Sequence, residues 1–258
     1  MVRINPNQVT PQLESLFDSD LPAGLRCFSV LDGGVKGRIF TDNPADPQWG
    51  IVQEPGDGTV YVGGSIDSRT LHRCLAELRR DSDVIVGAWR GDPLVDLLPE
   101  NPEYDGVAID FMDRSSEVRL DAFAEKVPEG CELRRVNRAL FDRLAERDQN
   151  INGYGSAEEA VEKGLGFCLM RGEAIVCESF GGPATRGVRE IGVRTDEQNQ
   201  NRGYATITCA RLIQVCEAMG WRTYWNTAQQ NLASVALARK LGYRTEREYR
   251  VLAWFKAG

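Results

Sequence analysis

One histidine, His72, stands in a chain of 258 residues, and that scarcity removes most imidazole chemistry. Ser-His-Asp and Cys-His relays are open only through His72, which follows Leu71 in a helical pattern and reads as a surface or core-edge residue. Paired metal-ligand spacing is lacking as well. The seven cysteines, Cys27, Cys74, Cys131, Cys168, Cys177, Cys209 and Cys216, are odd in number and include no C-x-x-C pair. Most sit among apolar neighbours, so they read as buried free thiols in a reducing cytoplasm, and no metal site is expected. The N-terminus, MVRINPNQVT, has no apolar h-region, and no run approaches a membrane span; the expectation is a cytoplasmic protein with no membrane partner. Positive charge is in short supply. Lys and Arg number 31 against 38 Asp and Glu, a net charge of −7. That balance argues against a general grip on nucleic acid and leaves room for a local basic pocket for a small phosphorylated ligand.

What is present is the material of a folded protein: 42% hydrophobic and 27% charged residues, in a chain long enough for one large domain or two small ones. Residues 1 to about 20 read as a capped, partly exposed helix. From Arg26 the pattern turns to strand in "RCFSVLDGG", "KGRIFTD", "WGIVQEP" and "TVYVGGSI", punctuated by Gly, Pro and Asp. "DSRTLHRCLAELRRDSD" carries Leu71, Cys74, Leu75 and Leu78 at helical spacing. "DVIVGAWRGD" and "YDGVAIDFMD" are further strands. Pro128 and Gly130 then interrupt the pattern, which suggests an N-terminal α/β domain over residues 1–125 and a second domain over 126–258. The second part reads β-α-α-β-β-β-α-β-α-β. Asn137 and Ser156 are candidate N-caps, Gly164 and Gly220 stop helices, and "NINGYGS" is a loop.

The stretch "VRTDEQNQNRGYATITCARL" (193–212) carries the chemistry. A strand runs into a polar loop, and a helix follows Gly203. A helix start leaves four backbone N–H groups without intrahelical partners, and the aligned peptide dipoles add partial positive charge there. Gly203 lets backbone approach a ligand with no Cβ in the way, and Arg202 adds a cation. Such a place suits an anion, a diphosphate included. The bland alternative is an ordinary strand-to-helix turn. The spacing is neither that of a P-loop nor that of the dinucleotide fingerprint.

Gln200-Asn201-Arg202-Gly203-Tyr204-Ala205 resembles the Gln/Arg-x-x-Gly-x-Gly/Ala signature of the GNAT superfamily of acyl-CoA-dependent N-acetyltransferases. "NLASVALARKLGY" is similar to that family's second motif, with Asn231, Lys240, Gly242 and Tyr243 in matching places. The strand "RTYWNT" stands between the two motifs, and the resemblance covers about residues 130–258. The wording of the two motifs looks closest to a branch that includes antibiotic self-resistance acetyltransferases of the zwittermicin type. The resemblance implies an α/β (α+β) fold, a GNAT-like mixed central sheet flanked by helices, preceded here by a smaller α/β domain that is either a degenerate GNAT-like half or a substrate cover. It implies acetyl-CoA as co-substrate and no metal. Amides of residues 200 to 205 (Gln200, Asn201, Arg202, Gly203, Tyr204, Ala205) would hold the diphosphate. Backbone at Val193 would hold the acetyl carbonyl and pantetheine arm, beside a bulge at Gly192. Asn226, Asn231 and Ser234 would bond the pantetheine amides.

One departure concerns the leaving group. Many members carry a Tyr five residues before the closing Gly-aromatic to protonate the thiolate, and Ala238 stands there. A thiol of pKa ~8.5 is a tolerable leaving group unaided. Tyr243 and Tyr204 read as packing and loop support. For the general base, Glu190 is the candidate and Glu178 the reserve; the alternative for Glu190 is an ion pair with Arg189 or Arg194. Trp225 either walls the acyl slot or fills the core. The expected activity is direct attack by a small-molecule primary amine in a ternary complex, with a homodimer as a possible assembly. Three rivals stand beside it: a non-catalytic acyl-CoA-binding or sensing module, a protein lysine acetyltransferase, and a nucleotide-binding regulator.

Overall fold

The computed structural model describes residues 1–54, 56, 58–147, 156–182 and 184–256. In chain order the elements are β1 (Val2–Ile4), α1 (Pro11–Glu14), α2 (Gly24–Leu31), β2 (Arg38–Thr41), β3 (Trp49–Gln53), β4 (Thr59–Gly64), α3 (Ser68–Leu78), β5 (Val84–Trp89), α4 (Leu94–Leu97) and β6 (Tyr104–Phe111). There follow α5 (Asp121–Ala124), β7 (Cys131–Arg135), α6 (Arg138–Arg147), α7 (Ala157–Lys163), β8 (Leu165–Arg171), β9 (Ala174–Gly181), β10 (Val188–Thr195), α8 (Tyr204–Ala218), β11 (Arg222–Ala228), α9 (Leu232–Lys240) and β12 (Glu246–Trp254). The chain forms two compact units. Met1–Ala108 and Glu248–Gly258 make the first, and Ile109–Arg247 the second. The division falls earlier than the interruption at Pro128 and Gly130, and the last strand returns to the first unit.

The first unit is a sheet in the order β1-β2-β3-β4-β5-β12. β4 and β5 run parallel with α3 as their crossover, and β12 lies antiparallel to β5, Trp254 against Val84 and Tyr249 against Trp89. Two expectations fail here. Residues 1–20 are not one helix: Pro6 and Pro11 each open a separate short turn, because proline suits a helix start and not its interior. "RCFSVL" lies in helix α2, not in a strand. Gly24, Cys27, Phe28 and Leu31 are all buried, at helical spacing. A short apolar run fits either structure until packing decides.

In the second unit β7 to β11 stand in the order β11-β10-β9-β8-β7, and the end of β6, Ile109–Phe111, edges β11. The sequence-derived order of this half holds element for element. Asn137 caps α6 by accepting from the Leu140 N–H at 3.0 Å, and Ser156 caps α7 through Glu159. α8 buries Cys209, Ala210, Leu212, Ile213 and Cys216 against Ile109, Phe111, Ile191 and Trp225 on one face of the sheet. Each of its fully buried aliphatic side chains contributes about 1.5–3 kcal/mol. The opposite face carries α6 and α7, through Leu140, Phe141, Leu144 and Ala160 against Cys168, Met170 and Phe180. The mixed sheet covered by helices on both faces is the GNAT-like architecture that the motifs imply. Of the loop "NINGYGS", Ser156 is seen as the cap of α7; residues 148–155 lie outside the described residues.

Candidate active site

The site is built where two strands part. β10 and β11 pair in parallel over three positions only, Val188 with Arg222, Arg189 with Thr223 and Glu190 with Tyr224. Beyond that point β10 continues against β9 alone, from Ile191 opposite Gly181 to Thr195 opposite Cys177. The register with β9 advances one residue at a time through Gly192, so the expected bulge is not there. The slot opens because β11 diverges from β10.

A cavity of about 470 Å³ lies beside the parted strands. Its walls include Val193 of β10, Gln200, Asn201, Gly203, Tyr204 and Ala205 at the head of α8, and Asn231 and Ser234 at the head of α9. The structure thus brings together eight of the ten residues expected to hold the coenzyme. Of the other two, Arg202 is exposed on the loop and Asn226 turns its amide to Asp110. Lys240 also lines the cavity, and among the described residues no acidic side chain does. The fit to a phosphorylated ligand is therefore electrostatic as well as steric.

The head of α8 is open by construction. Asn201 (φ 59°) and Gly203 (φ 78°) take left-handed backbone, which turns the chain sharply before the helix. A Cβ on Gly203 would meet nothing of the protein within 4 Å, so the space above it is clear for a ligand. No side chain caps the helix at Gly203, and the first amides of α8 are left as donors. Arg171 pins Tyr204 by a hydrogen bond to its hydroxyl, with the guanidinium 5.6 Å from the ring centre. On the facing wall the Asn231 Oδ1 accepts from the Ser234 N–H at 3.2 Å, and the Ser234 Oγ accepts from the Trp225 Nε1 at 3.0 Å. Both acceptors are used inward, which leaves the Asn231 amide N–H groups and the Ser234 hydroxyl hydrogen as donors. Trp225, 2% exposed, lies beneath this wall as part of the core.

The first unit repeats the strand–helix–strand arrangement in β4-α3-β5, and its helix start is built differently. Asp67 caps α3, its carboxylate accepting from the Thr70 N–H at 2.9 Å and from the Thr70 hydroxyl at 2.7 Å. These bonds hold the Asp67 carboxyl below its ordinary range. A helix start already closed by a carboxylate does not suit a diphosphate, unlike the open head of α8.

The carboxylates lie on the other face of the sheet. Glu190 is half-buried on β10 opposite Tyr224, and Glu178 is half-buried on β9 opposite Arg194. Alternation puts Arg189 on the face away from Glu190. There it donates to the carbonyls of Lys163, Gly181 and Gly182 and stacks on Trp221, 4.0 Å from the ring centre. Ala238 is fully buried in the core. Tyr243 is fully buried too, donating to Thr223 Oγ1 at 2.8 Å; burial pushes its hydroxyl well above the usual range against that bond. Sequence reasoning missed Asp110. Its signal was a lone acid inside the apolar strand "GVAIDF". It is 1% exposed and accepts from the Tyr224 hydroxyl at 2.6 Å and from the Asn226 amide.

A parallel strand pair that parts over an uncapped, glycine-led helix start, inside a mixed sheet, defines the acetyltransferase class to which the two motifs point. The model of the family "GNAT acetyltransferase" matches residues 22–252, and the chain belongs to that family. It is similar to the uncharacterized N-acetyltransferase YdfB of Bacillus subtilis (strain 168), 22% identical over 251 residues that cover 93% of each chain. Among solved structures it resembles a GCN5-related N-acetyltransferase-like protein from Streptococcus suis 89/1591, with a TM-score of 0.72 at 19% identity, covering 92% of this chain and 95% of the other. It also resembles a tandem GNAT protein from the clavulanic acid biosynthesis pathway, with a TM-score of 0.62 at 9% identity, covering 98% and 94%. The match spans both units, where the motifs alone pointed to the C-terminal half.

Proposed function

We propose that the protein moves an acetyl group from acetyl-CoA to a primary amine of a small molecule, by direct attack in a ternary complex. The observation that carries this reading is the 470 Å³ cavity at the parted strands, walled by both motifs and free of acidic side chains. The Gln200 N–H donates to the Glu197 carbonyl at 3.2 Å, so of the expected amides those of residues 201 to 205, with Lys240, suit the diphosphate. The Asn231 and Ser234 donors suit the pantetheine arm, and backbone at Val193 suits the acetyl carbonyl. The amine nitrogen bonds to the acetyl carbon as the carbon–sulfur bond breaks, and the proton still on that nitrogen passes through water to the leaving thiolate; Ala238, buried in the core, supplies none. Glu190, on the face opposite the coenzyme, takes the ammonium's proton through water, with Glu178 in reserve. The wording of the two motifs suits a zwittermicin-type self-resistance enzyme as the finer assignment.

A second reading is favoured by Ala238, a non-catalytic acyl-CoA-binding module that keeps the diphosphate loop and lacks the acid. Release of free thiol from acetyl-CoA across a panel of amines separates the two. The transferase reading expects amine-dependent thiol release with N-acetylated product. Tight acetyl-CoA binding with no release from any amine supports the binding module.

A further inference from the structure

Among the described residues Asp110 is the one acid in the buried set, and the CoA cavity does not use it. It stands at the end of β6, on the opposite face from its neighbours Ile109 and Phe111, which enter the core beneath α8. Its partners belong to β11. Tyr224 is the last residue of that strand paired with β10, opposite Glu190; Asn226 is two positions on, where the strands have parted. Tyr224 and Asn226 share a face, and the register puts Glu190 on the same face. One carboxylate therefore ties down two side chains at the mouth of the slot, on the side away from the coenzyme cavity.

The chemistry of that tie is directional. A carboxylate only accepts hydrogen bonds, so the Asn226 group turned toward Asp110 is its NH₂. The carbonyl of Ile109, 3.4 Å away, is a second acceptor and requires the same orientation. The Asn226 Oδ1 is thereby directed away from Asp110. Asn226 is half-buried, within reach of a ligand, while Asp110 is not.

We propose that Asp110 is a positioning residue that fixes Asn226 as a hydrogen-bond acceptor, so that Asn226 Oδ1, directly, and the Glu190 carboxylate, through its water, together hold the N–H groups of a primary amine at the slot. This inference rests on the amine-acetyltransferase reading above and adds the means by which the acceptor is recognised. Two acceptors on one face suit a group with at least two N–H bonds. A primary amine keeps two after deprotonation and still has its lone pair for attack, whereas a secondary amine or an alcohol offers one donor. The same arrangement repels an anionic acceptor.

The test uses the full-length protein loaded with CoA, which binds without reacting. Calorimetric titration with ethylenediamine, 1,3-diamino-2-propanol, benzylamine and spermidine reads amine affinity, and thiol release from acetyl-CoA reads turnover separately. Asp110→Asn is near-isosteric and removes the constraint on Asn226; the expected result is at least tenfold weaker amine binding with CoA affinity kept. Asn226→Ala, which leaves the buried acid in place, is expected to match it. The exchanged pair Asp110→Asn with Asn226→Asp restores a donor inside and an acceptor outside, and is expected to recover most of the amine affinity. A purely structural Asp110 would lower the melting temperature without that rescue. The inference is overturned if Asp110→Asn binds amines within twofold of the parent, if the exchanged pair recovers nothing, or if the parent binds none of the amines. Amine binding that follows this pattern with no thiol release would instead overturn the transferase reading and leave the recognition role standing.

Discussion

Glu190 and Arg189 are neighbours in the chain with different surroundings. The guanidinium of Arg189 is engaged by three carbonyls and Trp221 on one face, and the Glu190 carboxylate shares the other face with Tyr224. A substrate ammonium has pKa ~10, so at neutral pH only a small fraction is free amine. General-base catalysis typically contributes ~10²–10⁴-fold. Glu190→Gln is therefore expected to lower kcat by about that range at pH 7, with acetyl-CoA affinity nearly unchanged and part of the rate returning above pH 9 as the amine deprotonates itself. An active variant with the parent's pH–rate profile would move the base to Glu178 or to water. At this scale the motif residues were legible, because backbone donors and a glycine leave a local pattern. Asp110 was not. Its meaning depends on Tyr224 and Asn226, more than a hundred positions away, and no local spacing records such a contact.

At the scale of elements, the head of α8 is the most exacting piece of the fold. Gly203 has a backbone that side chains rarely adopt and open space above it, so two penalties separate by size of substituent. Gly203→Ala meets chiefly the left-handed backbone cost, on the order of 1–3 kcal/mol. Gly203→Val adds a branched side chain in the space for a diphosphate. Calorimetry is expected to give acetyl-CoA affinity at least tenfold weaker for Val, with Ala between Val and the parent. A folded Val variant that binds CoA as the parent does would remove the diphosphate from this loop. The periodic elements around it were readable from sequence: α3, α8, the strands β2 to β6 and the whole order from β7 to β12. α2 was misread because eight residues carry too few turns to tell period 3.6 from an apolar run, and burial against the neighbouring sheet decided it. The bulge expected at Gly192 failed for a related reason. A glycine in a strand marks an opening, and the divergence of β11 that makes the opening is a property of two strands together.

Over the whole molecule the thiols make a second, independent set of expectations. Cys27, Cys74, Cys168, Cys177, Cys209 and Cys216 are buried thiols outside any disulfide, and Cys131 is partly exposed. Burial pushes Cys177 and Cys216 up to about 11 from an ordinary value near 9, against hydrogen bonds from Thr195 and Thr208 at the first and the charge of Arg189 at the second. The folded state then holds protons that the unfolded chain releases. Their stabilising share is complete below pH 9 and lost as pH rises from about 9 to 11. The melting temperature is expected to fall across that window, and less steeply in Cys177→Ala. Iodoacetamide at pH 8 is expected to label Cys131 before any other thiol until denaturant is added; early labelling of Cys177 would contradict its burial. The family match reaches back to residue 22, whereas the motifs lie after residue 190; the helix start of the first unit, closed by Asp67, carries no such motif. The return of β12 to the first unit has a consequence in time. Tyr249 pairs with Trp89 across roughly 160 positions of chain, and Leu252 and Trp254 enter the core beside Val84 and Val86. At about 5–20 residues per second, a ribosome delivers that last strand roughly 8–30 s after its partner. Through that interval the unpaired edge of β5 is a template for any passing strand.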